Sequence, residues 1–217
     1  MVLTSSSTST EPTLLTEDDL YLFNEGSHFK LYEKLGAHPL THNGVKGTYF
    51  AVWAPNTYFV SVKGDFNGWN RDSHPLRARG DSGIWEAFIP GITPGDIYKY
   101  HIASRSGYEV EKADPVALAY EVPPKTASIV WENEYTWNDT GWMNQRHKLN
   151  ALNAPISIYE VHLGSWMRVP EEGNRSLSYR ELAPKLTEYV QQTGFTHVEF
   201  LPITEHPFFG SWGYQTT

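Results

Sequence analysis

Two kinds of strand share this chain, and they do not belong in one sheet. Across residues 48–53, 59–64, 84–89 and 97–102, short β-branched and aromatic runs close at Pro55-Asn56, Gly64, Pro90-Gly91 and Ser106-Gly107, the last leading into 108–110. The clearest of them alternate with period two. Such spacing predicts a small antiparallel β-sandwich over 37–133. From Ile156 the pattern changes. An apolar run at 156–163 stops at Gly164, and Leu177, Leu182, Leu186, Tyr189 and Val190 then fall at helical spacing between Ser178 and Gly194. A second apolar run follows at 195–202. Strand, helix and strand with a short return make one right-handed βαβ unit of a parallel sheet. One unit cannot bury both of its faces, so about three-quarters of a parallel α/β domain is expected beyond Thr217.

The remaining segments fit around these two. Residues 1–15 are Ser-, Thr- and Pro-rich and read as a flexible tail. Over 16–36 a helical segment is expected, with Thr16 as N-cap, Glu17, Asp18 and Asp19 in the first turn, a break at Gly26-Ser27 and a second short helix ending at Gly36. A packed connector is expected around 114–150, assigned as 134–154 between the two domains, and the start of the parallel domain occupies 155–217. The last thirteen residues form an aromatic, Gly- and Pro-rich loop with no terminating signal, as though the domain were cut.

Composition narrows the function. A net charge of −8 without a basic run argues against nucleic acid, whose binding rests on clustered cations. Cysteine is absent, which removes disulfides, thiolate nucleophiles and Cys-type zinc sites. Neither a signal peptide nor an apolar stretch of membrane-spanning length is present, so a soluble, cytoplasmic protein without membrane contact is expected. Eight Trp and thirteen Tyr serve either as core or as platforms for flat amphipathic ligands such as sugars.

The string Gly64-Asp65-Phe66-Asn67-Gly68-Trp69 ends a strand in an Asn-Gly turn, ordinary hairpin chemistry that places Trp69 at a loop tip. A tip indole either folds back onto the core or meets a ligand. With Trp85 and the Tyr98-Lys99-Tyr100 strand, the string resembles the family 48 carbohydrate-binding modules, which are immunoglobulin-like sandwiches. The resemblance implies α-glucan contact through Trp69, Lys99 and Tyr108. Tyr108 stands where dedicated binding modules carry Trp, and in enzyme-attached modules this surface is often a spacer.

Further strings extend the likeness: 31–39, Lys112-Ala113-Asp114-Pro115, 158–166, 194–203, Glu205-His206-Pro207 and Ser211-Trp212-Gly213-Tyr214-Gln215. Together they resemble the 1,4-α-glucan branching enzymes of glycoside hydrolase family 13, from about Leu20 onward. The resemblance implies an antiparallel sandwich followed by the first β-α-β unit of a truncated (β/α)8 TIM barrel. It implies a retaining double displacement that moves an α-1,4 glucan segment to a 6-hydroxyl, in glycogen biosynthesis, by a parent enzyme expected to be a monomer. Glycogen, amylose and maltooligosaccharides are the expected partners, and no cofactor or metal is needed. The family's Asp, Glu and Asp lie on later barrel strands, so no catalytic residue is expected here and the chain alone is expected to be inactive. Tyr214 matches the family's sugar-stacking aromatic; its other reading is a packing residue against Trp212.

Glu160, His162, His197, Glu199, Glu205 and His206 gather near strand ends and invite a metal or acid–base reading. Strand alternation puts Glu160 with His162, and His197 with Glu199, on shared faces. Hydrogen-bonded barrel residues are the expectation for them. Two alternatives remain: a non-catalytic α-glucan-binding protein, or a debranching or trehalose-releasing enzyme of the same family.

Overall fold

The computed structural model describes residues 11–204, 206 and 208–216. The chain divides into two compact units, Met1–Glu134 and Tyr135–Thr217. In the first, strands run in chain order as β1 (Gly36–His42), β2 (Val45–Trp53), β3 (Thr57–Gly64), β4 (Arg77–Ala78), β5 (Ile84–Pro90), β6 (Ile97–Ser104), β7 (Glu109–Lys112), β8 (Ala119–Tyr120) and β9 (Ser128–Ile129). They form two antiparallel sheets, β1-β2-β5-β4 and β3-β6-β9-β8, with β7 also paired to β6. Phe50 and Val52 of the first sheet meet Val60, Val62, Tyr98, Tyr100 and Val130 of the second in one buried core. The strands of the first unit therefore form a β-sandwich.

β2 explains why its sequence reads as a continuous apolar run. Phe50 and Val52 face the other sheet, while Tyr49 and Ala51 face a second cluster with Leu15, Leu35 and Ile84. Helix α1 (Glu17–Glu25) covers that outer face with Leu20 and Phe23. Thr16 and Asp19 cap its start reciprocally, and Gly26 ends it in a left-handed conformation. A single turn of 3-10 helix at Leu31–Glu33 stands where a second short helix was expected.

The expected tail at 1–15 needs correction where it can be seen. Its first ten residues lie outside the described residues, but 11–15 are anchored. Glu11 pairs with Arg77 at 2.9 Å, Thr13 donates its hydroxyl to Glu86 at 2.8 Å, and Leu15 is fully buried. Glu86 has no solvent exposure and also accepts from the Tyr49 hydroxyl at 2.5 Å and from Arg77 at 3.0 Å. A buried carboxylate without such donors would be untenable.

Strand β1 was not expected, since the first strand run read from the sequence is 48–53. It pairs with β2 through Asn43-Gly44, both in left-handed backbone, which is the Asn-Gly hairpin the chain contains. Pro39 sits on this edge strand, where its missing N–H does no harm.

In the second unit, α2 (Thr140–Leu149) lies within the segment read as a packed connector, and every one of its residues is exposed. β10 (Ile158–Val161) is followed by the single turn α3 (Leu163–Trp166), the hairpin β11 (Arg168–Val169) and β12 (Arg175–Ser176), then α4 (Tyr179–Thr193) and β13 (His197–Phe200). β10 and β13 pair in parallel with α4 as the crossover, the βαβ unit expected. Leu182 and Leu186 of α4 pack on Val161, with Tyr159, Val190 and Val198 around them. No further strand joins β10 and β13 among the described residues. No helix among the described residues is long and apolar enough to cross a membrane.

Candidate functional site

The loop carrying Trp69 is a different object from the hairpin expected. β3 ends at Gly64, a 3-10 turn covers Asp65–Asn67, and Gly68 and Trp69 both take left-handed backbone. The chain then crosses to the other sheet, where β4 pairs with β5. Asn67 holds the loop together. Its carbonyl accepts from Gly64 N–H at 3.0 Å, and its amide reaches Val62 O at 3.1 Å and His74 Nδ1 at 2.8 Å. Burial lowers the His74 pKa, which favours the neutral ring. Trp69 is half-buried with positive φ, and its indole N–H donates to Asp65 Oδ1 at 2.6 Å. A side chain rarely takes this backbone region, so the loop over-determines the position of the ring.

Beside Trp69 an open groove of about 510 Å³ crosses the outer face of β3, β6 and β7. Register builds it. Lys63 lies opposite Lys99, and Ser61, His101 and Glu111 line up across the three strands. Lys63 Nζ reaches Glu111 at 2.5 Å, and Arg71, two residues after Trp69, pairs with Glu109. The Lys63 pair draws the Glu111 pKa down. Beneath them His101 is buried, and the Ser61 hydroxyl is buried with no hydrogen-bond partner among the described residues.

The three residues singled out on this unit are not gathered in one place. Lys99 sits across from Lys63, next to the Gly64 that opens the Trp69 turn, and donates to Thr126 Oγ1 at 2.7 Å. Tyr108 precedes Glu109, which pairs with Ala103. Tyr108 therefore lies beside Ser104, five residues along β6 from Lys99, or about 17 Å of strand. Tyr108 is exposed, and it does not line the groove, where Glu109 and Glu111 stand instead.

In the second unit the carboxyl ends of β10 and β13 carry the remaining candidates. His162 follows the last residue of β10, Val161, in extended backbone and precedes the short helix α3. Its Nδ1 meets Ser165 Oγ at 2.8 Å, and its ring stacks on Trp212 at 5.3 Å. Glu160 and Glu199 are register partners, both exposed, on the side of the sheet away from α4. His197 bonds Thr196 at 2.8 Å, and His206 Nδ1 meets Thr204 O at 2.9 Å. Glu205 and Pro207 lie outside the described residues. Among the described residues no three His, Asp or Glu side chains gather as a metal site would require.

The loop after β13 is fixed at Trp212-Gly213. Both residues take positive φ, and a Cβ at 213 would stand 2.5 Å from Pro202 O, so only glycine fits. Tyr214 follows, 66% exposed, and makes no ring contact among the described residues. Trp212 stacks on His162, so the packing partner expected for Tyr214 is already engaged.

With this geometry in hand, the comparisons with known proteins divide by segment. The family model described as "Carbohydrate-binding module 48 (Isoamylase N-terminal domain)" matches residues 34–117. Residues 34–117 are thus similar to the family 48 carbohydrate-binding modules. Over a longer span, the chain is 56% identical to the 1,4-alpha-glucan branching enzyme of Aquifex aeolicus across 94% of its own length and 32% of that protein's. It is 55% identical to that of Myxococcus xanthus across 93% of its length and 28% of the relative's. The chain thus spans about a third or less of the curated relatives it matches. Among solved structures, a putative alpha amylase from Salmonella typhimurium superposes with a TM-score of 0.60 at 25% identity, over 84% of this chain and 27% of that one. The GBS pullulanase solved with maltotetraose superposes at 0.52 and 20% identity, over 81% and 24%, a likeness of fold.

The sequence of the first unit singles out Trp69 and does not show what surrounds it. Glu111 and Arg71 looked like ordinary surface charges because their partners lie 48 and 38 residues away. A signal for Asn67 was present, since an Asn before Gly-Trp with no complementary strand following does not need to be a hairpin. Asp114 was quoted in a motif without a role. It is fully buried and accepts from the Tyr98 and Tyr100 hydroxyls at 2.7 and 3.1 Å. Burial raises its pKa, and those bonds oppose the rise.

Proposed function

We propose that this chain serves a 1,4-alpha-glucan branching enzyme, supplying its glucan-associated module and the opening β-α-β unit of its (β/α)8 barrel. What supports the reading above all is identity near 55% over more than nine-tenths of this chain to enzymes of that name. The parallel β10–α4–β13 unit following the module fits the same reading, since a binding module would have no use for it. A cysteine-free chain is compatible with a reducing cytoplasm.

In the proposed reaction a carboxylate attacks the anomeric carbon of an α-1,4 glucan while an acid protonates the departing 4-oxygen. The resulting glycosyl ester is then opened by a 6-hydroxyl, whose proton returns to the same acid, forming the α-1,6 branch. Neither carboxyl group is assigned to any residue among these 217. The part proposed for this chain is binding. Trp69 offers an aromatic face for the apolar side of glucose, and Lys99 donates to hydroxyls nearby. Tyr108, exposed and outside the groove, is assigned to a separate contact further along the glucan, and Tyr214, exposed beyond the end of β13, is assigned to stacking under a sugar close to the reacting bond.

The test compares this chain with the full-length gene product on amylose, reading α-1,6 linkages by NMR. Branching is expected from the full-length protein and none from the 217 residues. Branches made by these residues alone would contradict the assignment, and so would a full-length protein that makes none.

A further inference from the structure

We infer that the Arg71–Glu109 ion pair is a positioning device, which ties the loop carrying Trp69 to the hairpin carrying Tyr108 so that both aromatics act on one glucan chain. The inference rests on the glucan reading of the first unit. It gives a role to two charged side chains that this reading left unassigned.

The two aromatics stand on separate loops with β6 between them. Trp69 follows the end of β3, and Tyr108 closes the turn at 105–107 that leads from β6 into β7. The Tyr108 carbonyl accepts Ser104 N–H at 2.8 Å, which holds this turn to its own hairpin. The Trp69 loop is likewise turned in on itself. Trp69 N–H donates to Gly64 O at 2.9 Å, its indole donates to Asp65, and Asn67 bonds Gly64, Val62 and His74. On the returning limb, Val62 N–H donates to His74 O at 3.0 Å and Leu76 N–H to Val60 O at 2.9 Å. Each of these bonds ends within the loop or on β3.

Arg71 is the exception among the described residues. Its second contact, with Asp72 at 3.7 Å, stays inside the loop, but its guanidinium also crosses to Glu109, the first residue of β7 and the neighbour of Tyr108. The receiving end is well held. Glu109 Oε2, the oxygen that meets Arg71, stands 3.8 Å from Nε2 of His101, which is buried beneath it. One step along, Lys63 of β3 reaches Glu111 of β7 at 2.5 Å. Both pairs therefore straddle β6, as the alignment of Ser61 with His101 and of His101 with Glu111 requires.

Arg71 and Glu109 are about half exposed, and a pair of that kind adds little to folding stability. Its effect falls on the loop tip. Without it the Trp69 loop is bonded only to itself and to β3, and a ligand that touches both aromatics must order the two loops as it binds. A tie made beforehand removes that cost. The gain belongs to ligands long enough to reach from one loop to the other, so the pair favours longer chains over shorter ones.

The experiment is a double-mutant cycle on the whole chain, with Arg71→Ala, Glu109→Ala and the double variant each titrated with maltoheptaose and with maltotriose. Either single variant should weaken maltoheptaose binding about fivefold, and the double variant should lose no more than a single one. Maltotriose should lose less. Because the sugar is uncharged, salt reports on the pair: raising ionic strength from about 0.05 M to about 0.5 M should weaken wild-type binding and leave the variants unchanged. A loss confined to Arg71→Ala would make Arg71 a direct donor to the sugar and overturn the pair. Additive losses in the double variant would overturn it too, and equal weakening of both ligands would overturn the coupling. A measurement without ligand stands apart from the glucan reading. Each single variant should broaden the Trp69 Nε1–H and Tyr108 amide resonances by exchange, and sharp, unshifted signals in both would refute the tie. Maltoheptaose binding that is absent, or unchanged by Trp69→Ala, would instead refute the glucan reading, and the two resonances would still decide whether Arg71 and Glu109 join the loops.

Discussion

A carboxylate removed from water must find donors, and the sandwich contains two that succeed. Asp114 takes the hydroxyls of Tyr98 and Tyr100, and its second oxygen accepts Val116 N–H at 2.9 Å. Asp114→Ala would leave both phenols buried and unpaired beside a cavity. It should destabilise the first unit by about 3 kcal/mol or more, measured by urea unfolding. Tyr98→Phe removes one donor of several and should cost about 1 kcal/mol. Equal losses in the two variants would mean the carboxylate does not organise the cluster. Glu181 gives a pH test of the opposite sign. Arg175 first, then the Ser178 N–H and hydroxyl, hold its pKa down to about 2 from 4.5. A depressed carboxylate adds stability above its unfolded pKa and loses it as pH falls through the folded one. The start of α4 should therefore weaken between about pH 4.5 and pH 2. Arg175→Ala should return the Glu181 pKa towards 4.5, read by NMR titration of its side-chain carbon. A titration midpoint that stays near 2 would shift the cause to the helix cap.

At the scale of elements, legibility followed the range of the forces involved. Helix α4 could be read because its signals are local: Ser178 and Glu181 cap each other, Gly194 ends the helix in left-handed backbone, and Leu182 and Leu186 share a face. Ser178→Ala should therefore cost about 1 kcal/mol in the second unit, seen as a loss of helical signal on heating. No change would mean that Arg175–Glu181 carries the cap alone. β1 was missed for a reason equally physical. Its partner is adjacent in sequence, but Pro39 and two histidines hide the period-two pattern, and the deciding signal was the Asn43-Gly44 turn. The Trp69 loop went the other way. Asn67-Gly68 carried the hairpin dipeptide, yet the Asn67 side chain caps Gly64, Val62 and His74 and sends the chain to the other sheet. Asn67→Ala should free the loop and move the Trp69 indole off Asp65, visible as a shift in its Nε1–H resonance. Of the candidate site, Trp69 and Lys99 were legible as residue types. The groove beside them was not, because Glu109 and Glu111 reach it only through the β6–β7 register.

At the scale of the whole molecule, the two units differ in how much surface each can hide. The first closes its core between two sheets and covers an outer face with α1 and residues 11–15. Its length and its buried cluster suit independent folding. Among the described residues the second rests on three buried side chains, Val161, Leu182 and Leu186. It also leaves Glu160 beside Glu199 on an exposed face, like charges in register that a self-sufficient sheet would avoid. Two parallel strands with unpaired edges are a template for other chains. Residues 11–134 produced alone should thus be monodisperse and unfold in one cooperative transition. Residues 135–217 alone should associate at micromolar concentration and lack such a transition, as read by sedimentation and calorimetry. Adding salt should aggravate that association by screening the Glu160–Glu199 repulsion that opposes stacking of the exposed faces. If 135–217 proved monomeric and cooperative, three buried side chains would suffice for a stable unit, and the case for a larger barrel around β10 and β13 would lose its physical basis.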